Sequence, residues 1–280
     1  VTDFELPPTA TRRRAASGAA PQRILLLHGM ANSSAVWDAA LPLFAPHVEV
    51  WAADLPWRGG AEPGWSHHPD PAHWIADVLG TVPGGVDAVV AHSFSAVLTL
   101  ELLARQAADG IDVAEAHGVR GMVLVSPFYR RTTEEFRFEV VGKLVHEFEL
   151  AMREGIRTRT GRRIDEAIHA EMTRLVCERV GPYGWLRFLD TYLRTPWLRP
   201  ELLGLPCATI AGSLDRTAPS AEAQVLADVL PVGRAHLFEG CGHFPMIEQP
   251  AAFASTVDTF LESVTVPAGT AVPVTGGRQL

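Results

Sequence analysis

The chain has 280 residues, 47% of them hydrophobic, enough to bury a large core as one domain with an inserted subdomain or as two small domains, which excludes the fibrous and disordered classes. Its 24 basic and 32 acidic residues leave a net charge of -8, which argues against general polyanion binding and so against nucleic acid as a partner. No apolar run approaches the ~20 residues of a membrane span, and a soluble protein is expected.

The basic residues are almost all Arg, and Lys143 is the single lysine, so any Schiff-base or lysine-base mechanism would have to use it. Cys177, Cys207 and Cys241 are odd in number, widely spaced and without a CxxC pair, which indicates neither a disulfide framework nor a zinc site and points to a reducing cytoplasm. The stretch VTDFELPPTATRRRAASGAAPQR lacks an apolar core and does not read as a signal peptide. Its TRRRAAS segment reads as an early strand or a solvated arm.

Ile24 to Leu27 is a continuous apolar run, suited to a strand covered on both faces, and it stops at His28-Gly29. Val48 to Ala53 is the next strand, ending in Asp54-Leu55-Pro56-Trp57-Arg58-Gly59, where Asp54 is expected to order the turn and Trp57 to line a site mouth. The segment GWSHHPDPAHW gathers His67, His68, Asp70 and His73, but the spacing matches no zinc pattern and two prolines break the backbone; a solvated loop is expected, and no metal or cofactor is required.

Ala88 to Ala91 is a buried strand that ends abruptly at His92-Ser93-Phe94-Ser95, and a helix-forming run, Ala96 to Ala104, begins at once. With no room for a loop, the corner residue, Ser93, is forced into a strained conformation and projects off the sheet above the helix. Such a turn closes only with small residues two before and two after, here Ala91 and Ser95. Met122 to Val125 is another buried strand; it ends in Ser126-Pro127, without a carboxylate. From about 128 to 202 apolar positions recur at three and four residue intervals, as in Val140, Leu144, Phe148 and Ala151, then Ile164, Ile168, Met172 and Leu175, then Trp185, Phe188, Leu189 and Tyr192. That is an all-helical insertion, whose apolar residues are expected mainly to pack the helices against each other. Its basic residues Arg153, Arg157, Arg159, Arg162 and Arg163 suit a solvated face or the receipt of a phosphate-bearing carrier or coenzyme. Ala208 to Ala211 and Ala235 to Phe238 resume the sheet, and the Pro-, Gly- and Thr-rich tail from 266 is expected to be disordered.

Ala-His-Ser-Phe-Ser resembles the nucleophile elbow of the α/β-hydrolase superfamily, with Ala91 and Ser95 where the family usually has Gly. Three further stretches carry the resemblance. His28-Gly29 with Trp37 is similar to the family's His-Gly loop and the helix after it; Gly212-Ser213-Leu214-Asp215-Arg216-Thr217-Ala218-Pro219 to its acid loop; and Gly240-Cys241-Gly242-His243, followed by Glu248 and Pro250, to its histidine loop. The Asp54 turn resembles the family's Asp-Leu-Pro-Gly-His-Gly, with Trp57 and Arg58 replacing Gly and His. Some relatives carry their acid after the strand that ends here at Ser126, so in this chain it must come later.

The resemblance implies an α/β fold, a mostly parallel sheet with helices on both faces and a helical cap: a core of 1–127 with an arm of 1–20, a cap of 128–202, and the rest of the core in 203–265. It implies Ser93 as nucleophile, His243 as general base and then acid, Asp215 as the residue that fixes the imidazole, and the backbone amides of Met30 and Phe94 as an oxyanion hole. Ser93 at the corner argues against family members that use an aspartate there. An ester or thioester with an apolar or aromatic acyl group is the expected substrate, a small molecule free or linked to a carrier or coenzyme, with His28, Trp57, Phe128, Trp185 and Phe244 as candidate contacts; Trp65 and Trp197 add to the aromatic character. Three alternatives stay open: a lyase or cyclisation-type enzyme without an acyl-enzyme, a receptor with little turnover, and a metal-dependent enzyme.

Overall fold

The computed structural model describes residues 8–18, 21–59, 63–160 and 164–265; the tail from 266, the first seven residues, Arg162 and Arg163 lie outside the described residues. Seven strands form one sheet: β1 (Ala10–Arg14), β2 (Gln22–Leu27), β3 (Val48–Ala53), β4 (Ala88–His92), β5 (Gly121–Val125), β6 (Cys207–Gly212) and β7 (Gly233–Phe238). Their order is β1-β3-β2-β4-β5-β6-β7, with β1 antiparallel to β3 and every other pair parallel.

Because both faces of the central strands are covered, β4, β5 and β6 need apolar side chains on both, hence the continuous runs in the sequence. Leu25, Leu27, Val89, Ala91 and Leu124 pack into one core, while Ile24, Leu26, Val90, Val123 and Val125 pack into the other. Each large aliphatic side chain fully buried in this way contributes about 1.5–3 kcal/mol. The helices of the core domain are α1 (His73–Leu79), α2 (Phe94–Ala108), α3 (Val113–His117), α6 (Ser220–Val229), α7 (Pro245–Glu248) and α8 (Pro250–Thr265). Phe253 and Val257 of α8 cover one face of the sheet; Val97 and Leu100 of α2 cover the other.

The TRRR segment is the edge strand β1. Arg14 donates to the carbonyls of Ala45 and Val48 (3.0 and 3.1 Å), and Arg13 pairs with Asp38 at 2.7 Å. Charged side chains on an edge strand oppose pairing with other chains. The helix expected after the His-Gly loop is replaced by two 3-10 turns, Ser34–Trp37 and Leu41–Leu43. Bonds of the tighter kind close them, such as Asp38 N–H to Ala35 O, and Pro42 has no N–H to continue a helix.

Between β5 and β6 the chain leaves the sheet for two long helices, α4 (Phe138–Thr160) and α5 (Glu166–Leu193), which pack against each other as the cap. The second and third apolar stripes of the sequence belong to one kinked helix, α5. The kink is at Gly181, whose left-handed φ of 64° only glycine adopts without strain, followed by Pro182. Ile168 and Leu175, read as part of the packing stripe, are exposed.

Candidate active site

Four strands deliver the site. At the end of β4, Ser93 has φ 55° and ψ -117°, a conformation that costs about 1–3 kcal/mol for a non-glycine residue. The surroundings hold it there: its amide donates to Val125 O of β5 (2.8 Å), and its carbonyl accepts the amides of Ala96 and Val97 in the first turn of α2. After β6, the carboxylate of Asp215 accepts the amides of Thr217 and Ala218 (2.8 and 2.9 Å). After β7, His243 lies between them, with Nδ1 at 2.7 Å from Asp215 Oδ2 and Nε2 at 3.1 Å from Ser93 Oγ. All three side chains are buried.

Burial works against the charged form of Asp215, but the adjacent His243 and the two loop amides outweigh it and hold the carboxyl below the usual carboxylate range. A carboxylate kept ionised beside Nδ1 keeps the proton on that nitrogen. Nε2 is then an acceptor facing the hydroxyl, the arrangement that lets an imidazole take a proton from serine as it attacks.

The histidine loop is held from several directions. Glu248 accepts the amides of Gly242 and Phe244, on either side of His243, at 2.8 and 2.9 Å. The carbonyl of His243 accepts from His92 Nε2 (2.9 Å) and from Ser126 Oγ (3.2 Å). Burial pushes the His92 imidazole down to about 3, so it is a neutral donor at Nε2. Gly212 lets the acid and histidine loops meet: a Cβ there would lie 2.2 Å from Cys241 O.

The turn after β2 faces the serine. Gly29 allows close approach, since a Cβ would lie 3.0 Å from that of Ser93. Ala31 has a left-handed φ of 58°, and its amide donates to Trp57 O at 2.9 Å. Neither the Met30 amide nor the Phe94 amide donates to a protein acceptor among the described residues, and both residues line the same cavity as Ser93 and His243. Unpaired amides bordering a cavity are available to an oxyanion.

That cavity is about 1010 Å³ and lies between the sheet edge and the cap. Phe128, Trp185 and Phe244 line it, joined by cap residues Leu144, Phe148 and Phe188 that the sequence pattern assigns to helix packing. His28 and Trp57 do not line it. The His28 ring donates from Nδ1 to Gly29 O and accepts the Leu55 amide at Nε2, and burial lowers its pKa to about 4. Trp57 is 1% exposed because its indole N–H finds acceptors inside, His28 O and Ser95 Oγ, both at 3.2 Å. Both residues hold the turn from His28 to Ala31 from behind. Trp65 packs edge-on against Trp57, and Trp197 is 66% exposed, away from the cavity.

Asp54 accepts the Ser34 amide at 2.6 Å. His68 and His73 meet with ring centroids 4.0 Å apart at a tilt of 31°, and among the described residues no group of three or more His, Cys, Asp or Glu is placed to hold a metal ion. Arg153, Arg157 and Arg159 border the cavity, the first two paired with Glu166. Arg130, Tyr192 and Glu222, which form a polar cluster in the cavity wall, carry no signal in the sequence pattern that sets them apart as site residues.

Residues 24–256 match a family model described as the alpha/beta hydrolase family. Among curated proteins, the chain is 25% identical over 252 residues to the pimeloyl-[acyl-carrier protein] methyl ester esterase of Vibrio vulnificus (85% of this chain, 93% of that one). It is 26% identical over 260 residues to the protein of the same name from Aromatoleum aromaticum (84% and 96%). Among solved structures, the enol-lactonase from Burkholderia xenovorans superposes with a TM-score of 0.60 at 16% identity, covering 91% of this chain and 96% of that one.

Proposed function

Because the chain belongs to the α/β-hydrolase family and is an enzyme of that type, we propose that it hydrolyses a carboxylic ester or thioester through an acyl-enzyme on Ser93. The observation that carries this reading is the line from Asp215 through His243 to Ser93, at 2.7 and 3.1 Å, opening into a cavity with an aromatic wall beside two unpaired amides.

In this reading Ser93 Oγ attacks the acyl carbon while His243 Nε2 takes its proton. The carbonyl oxygen, now negative, is received by the amides of Met30 and Phe94, each contributing on the order of 3 kcal/mol. His243 returns the proton to the leaving alcohol or thiol as the tetrahedral adduct collapses. Water then attacks the acyl-enzyme while His243 Nε2 takes its proton, and His243 gives that proton to Ser93 Oγ as the bond to the serine breaks and the acid leaves; Asp215 holds the imidazole in place and stabilises its cation throughout.

The aromatic wall of Phe128, Phe148, Trp185 and Phe188 supports an apolar or aromatic acyl group. The arginines at the cavity border, with the carrier-linked substrates that the names of the two curated relatives state, support delivery of the acyl group on a phosphate-bearing carrier. The reading is tested by mass analysis of the enzyme quenched during turnover of an ester and thioester panel. A mass increase equal to the acyl group, absent in Ser93→Ala, is expected; product formation with no such species would favour the lyase-type reading.

A further inference from the structure

Among the apolar residues of the cavity wall, below the arginines of α4, sits a charged cluster built on the buried Glu222. Glu222, in the first turn of α6 and 7% exposed, accepts the Tyr129 amide at Oε2 (2.9 Å) and the Tyr192 hydroxyl at Oε1 (2.5 Å). Arg130, just after β5, donates from Nε to Tyr192 Oη (2.8 Å) and from Nη1 to Glu135 O (3.1 Å), and its Nη2 lies 3.3 Å from Glu222 Oε1. All three residues line the cavity that holds Ser93.

Taking such charges out of water costs more than a packed apolar group of similar volume would, so a pair kept at a cavity wall gives little stability in return. The cluster also has hydrogen-bonding capacity left over. A guanidinium has more N–H groups than these contacts use, and each carboxylate oxygen accepts more than one bond. Pockets of this kind fix ligand orientation with a few polar groups set in an apolar lining.

Taking the hydrolase reading above as its premise, we propose that Arg130, Tyr192 and Glu222 form a subsite that recognises a hydroxyl group on the substrate, at a distance from the scissile bond. The charge balance selects a neutral guest. At the cluster itself Arg130 is already compensated by Glu222, so a carboxylate bound there would meet the charge of Glu222 without a free cation among the three residues. A hydroxyl can accept from the guanidinium and donate to the carboxylate at once, which neither a methyl nor a carbonyl can do.

The test is a matched panel of esters, from short to long, in which the acyl or the alcohol part ends in a methyl, a hydroxyl or a carboxylate. At one length the hydroxyl member is expected to exceed the methyl member in kcat/KM by about tenfold or more, because a site built to hydrogen-bond a hydroxyl discriminates against the analogue lacking it. In Tyr192→Phe and Arg130→Met that ratio is expected to collapse toward one. A purely structural cluster would lower both members together and leave the ratio standing, which would overturn the proposal. A parent enzyme that cleaves the methyl esters and never favours the hydroxyl, or favours the carboxylate, also overturns it, with or without folded variants. A parent that cleaves none and forms no acyl-enzyme contradicts the hydrolase premise instead, so the two failures are distinct.

Discussion

The hydroxyl of Ser95, two residues past the corner serine, donates to the backbone carbonyl of His28, the residue that opens the turn carrying the Met30 amide. One side chain thus ties the start of α2 to the turn after β2, and the Trp57 indole closes the triangle by donating to both oxygens. The departure from glycine at this position is a gain of a strut between the two proposed oxyanion donors.

Ser95→Gly, which restores the family's usual residue, removes this strut. It is expected to cost about 1–2 kcal/mol in urea unfolding and to lower kcat several-fold, with the Trp57 indole left short of one acceptor. Unchanged stability and kcat would show that the strut is dispensable.

Asp215→Asn keeps the shape of the acid loop but presents an amide to Nδ1 and removes the charge that stabilises the imidazolium. A fall in kcat on the order of 10³–10⁴-fold is expected, with far-UV and near-UV circular dichroism preserved. A drop of less than tenfold would remove Asp215 from its proposed role.

Gly212→Ala would drive a Cβ toward the carbonyls of Cys241 and Gly242, at 2.2 and 2.3 Å, both backbone atoms that cannot swing aside. The acid and histidine loops should separate. The expected outcome is loss of both activity and several kcal/mol of stability in a thermal melt; a stable, active variant would mean the loops can part without consequence.

The strand ends and the corner at Ser93 were legible because each is a local pattern, an apolar run cut short by residues that only a turn requires; the loops with Asp215 and His243 stood out through their resemblance to the family's acid and histidine loops. The insertion was legible as a helical cap over the site, with Trp185 as a candidate contact, but not which of its other apolar residues face the cavity. A stripe of Leu144, Phe148 and Phe188 looks the same in sequence whether it meets another helix or encloses a cavity. Trp57 was misplaced for a related reason. Its position after a strand suggested the site mouth, while the acceptors that draw it inward, Ser95 Oγ and His28 O, come from elsewhere in the chain. Glu222 and Tyr192 were invisible because a glutamate in a helix's first turn and a tyrosine on an apolar stripe each have ordinary local explanations. Only the fold brings them to 2.5 Å.

Stability should fall in mild acid through two buried imidazoles. Burial lowers His28 from 6.5 to about 4 and His92 to about 3. Each is neutral when folded and protonated when unfolded between those values and 6.5. Their contribution is therefore fully present above pH 6.5 and is lost as pH falls toward 4 and 3. Burial raises the carboxyls of Glu101 and Glu222, whose contribution has the opposite sign, lost as pH rises above their unfolded values. The comparison that isolates one imidazole is parent against His92→Gln, whose amide can still donate to His243 O. The slope of unfolding free energy between pH 4 and 6 should decrease by about 1.4 kcal/mol per pH unit, the value for one proton. An unchanged slope would mean His92 is not the group taking up that proton.

The most direct test of the account is intact-mass analysis after exposure to a fluorophosphonate, which reacts with a serine only where a base and an oxyanion site activate it. The parent should gain a single adduct, Ser93→Ala none, and His243→Ala an adduct formed far more slowly. A folded parent that gains no adduct, or a Ser93→Ala variant that labels as the parent does, would contradict Ser93 as the activated nucleophile.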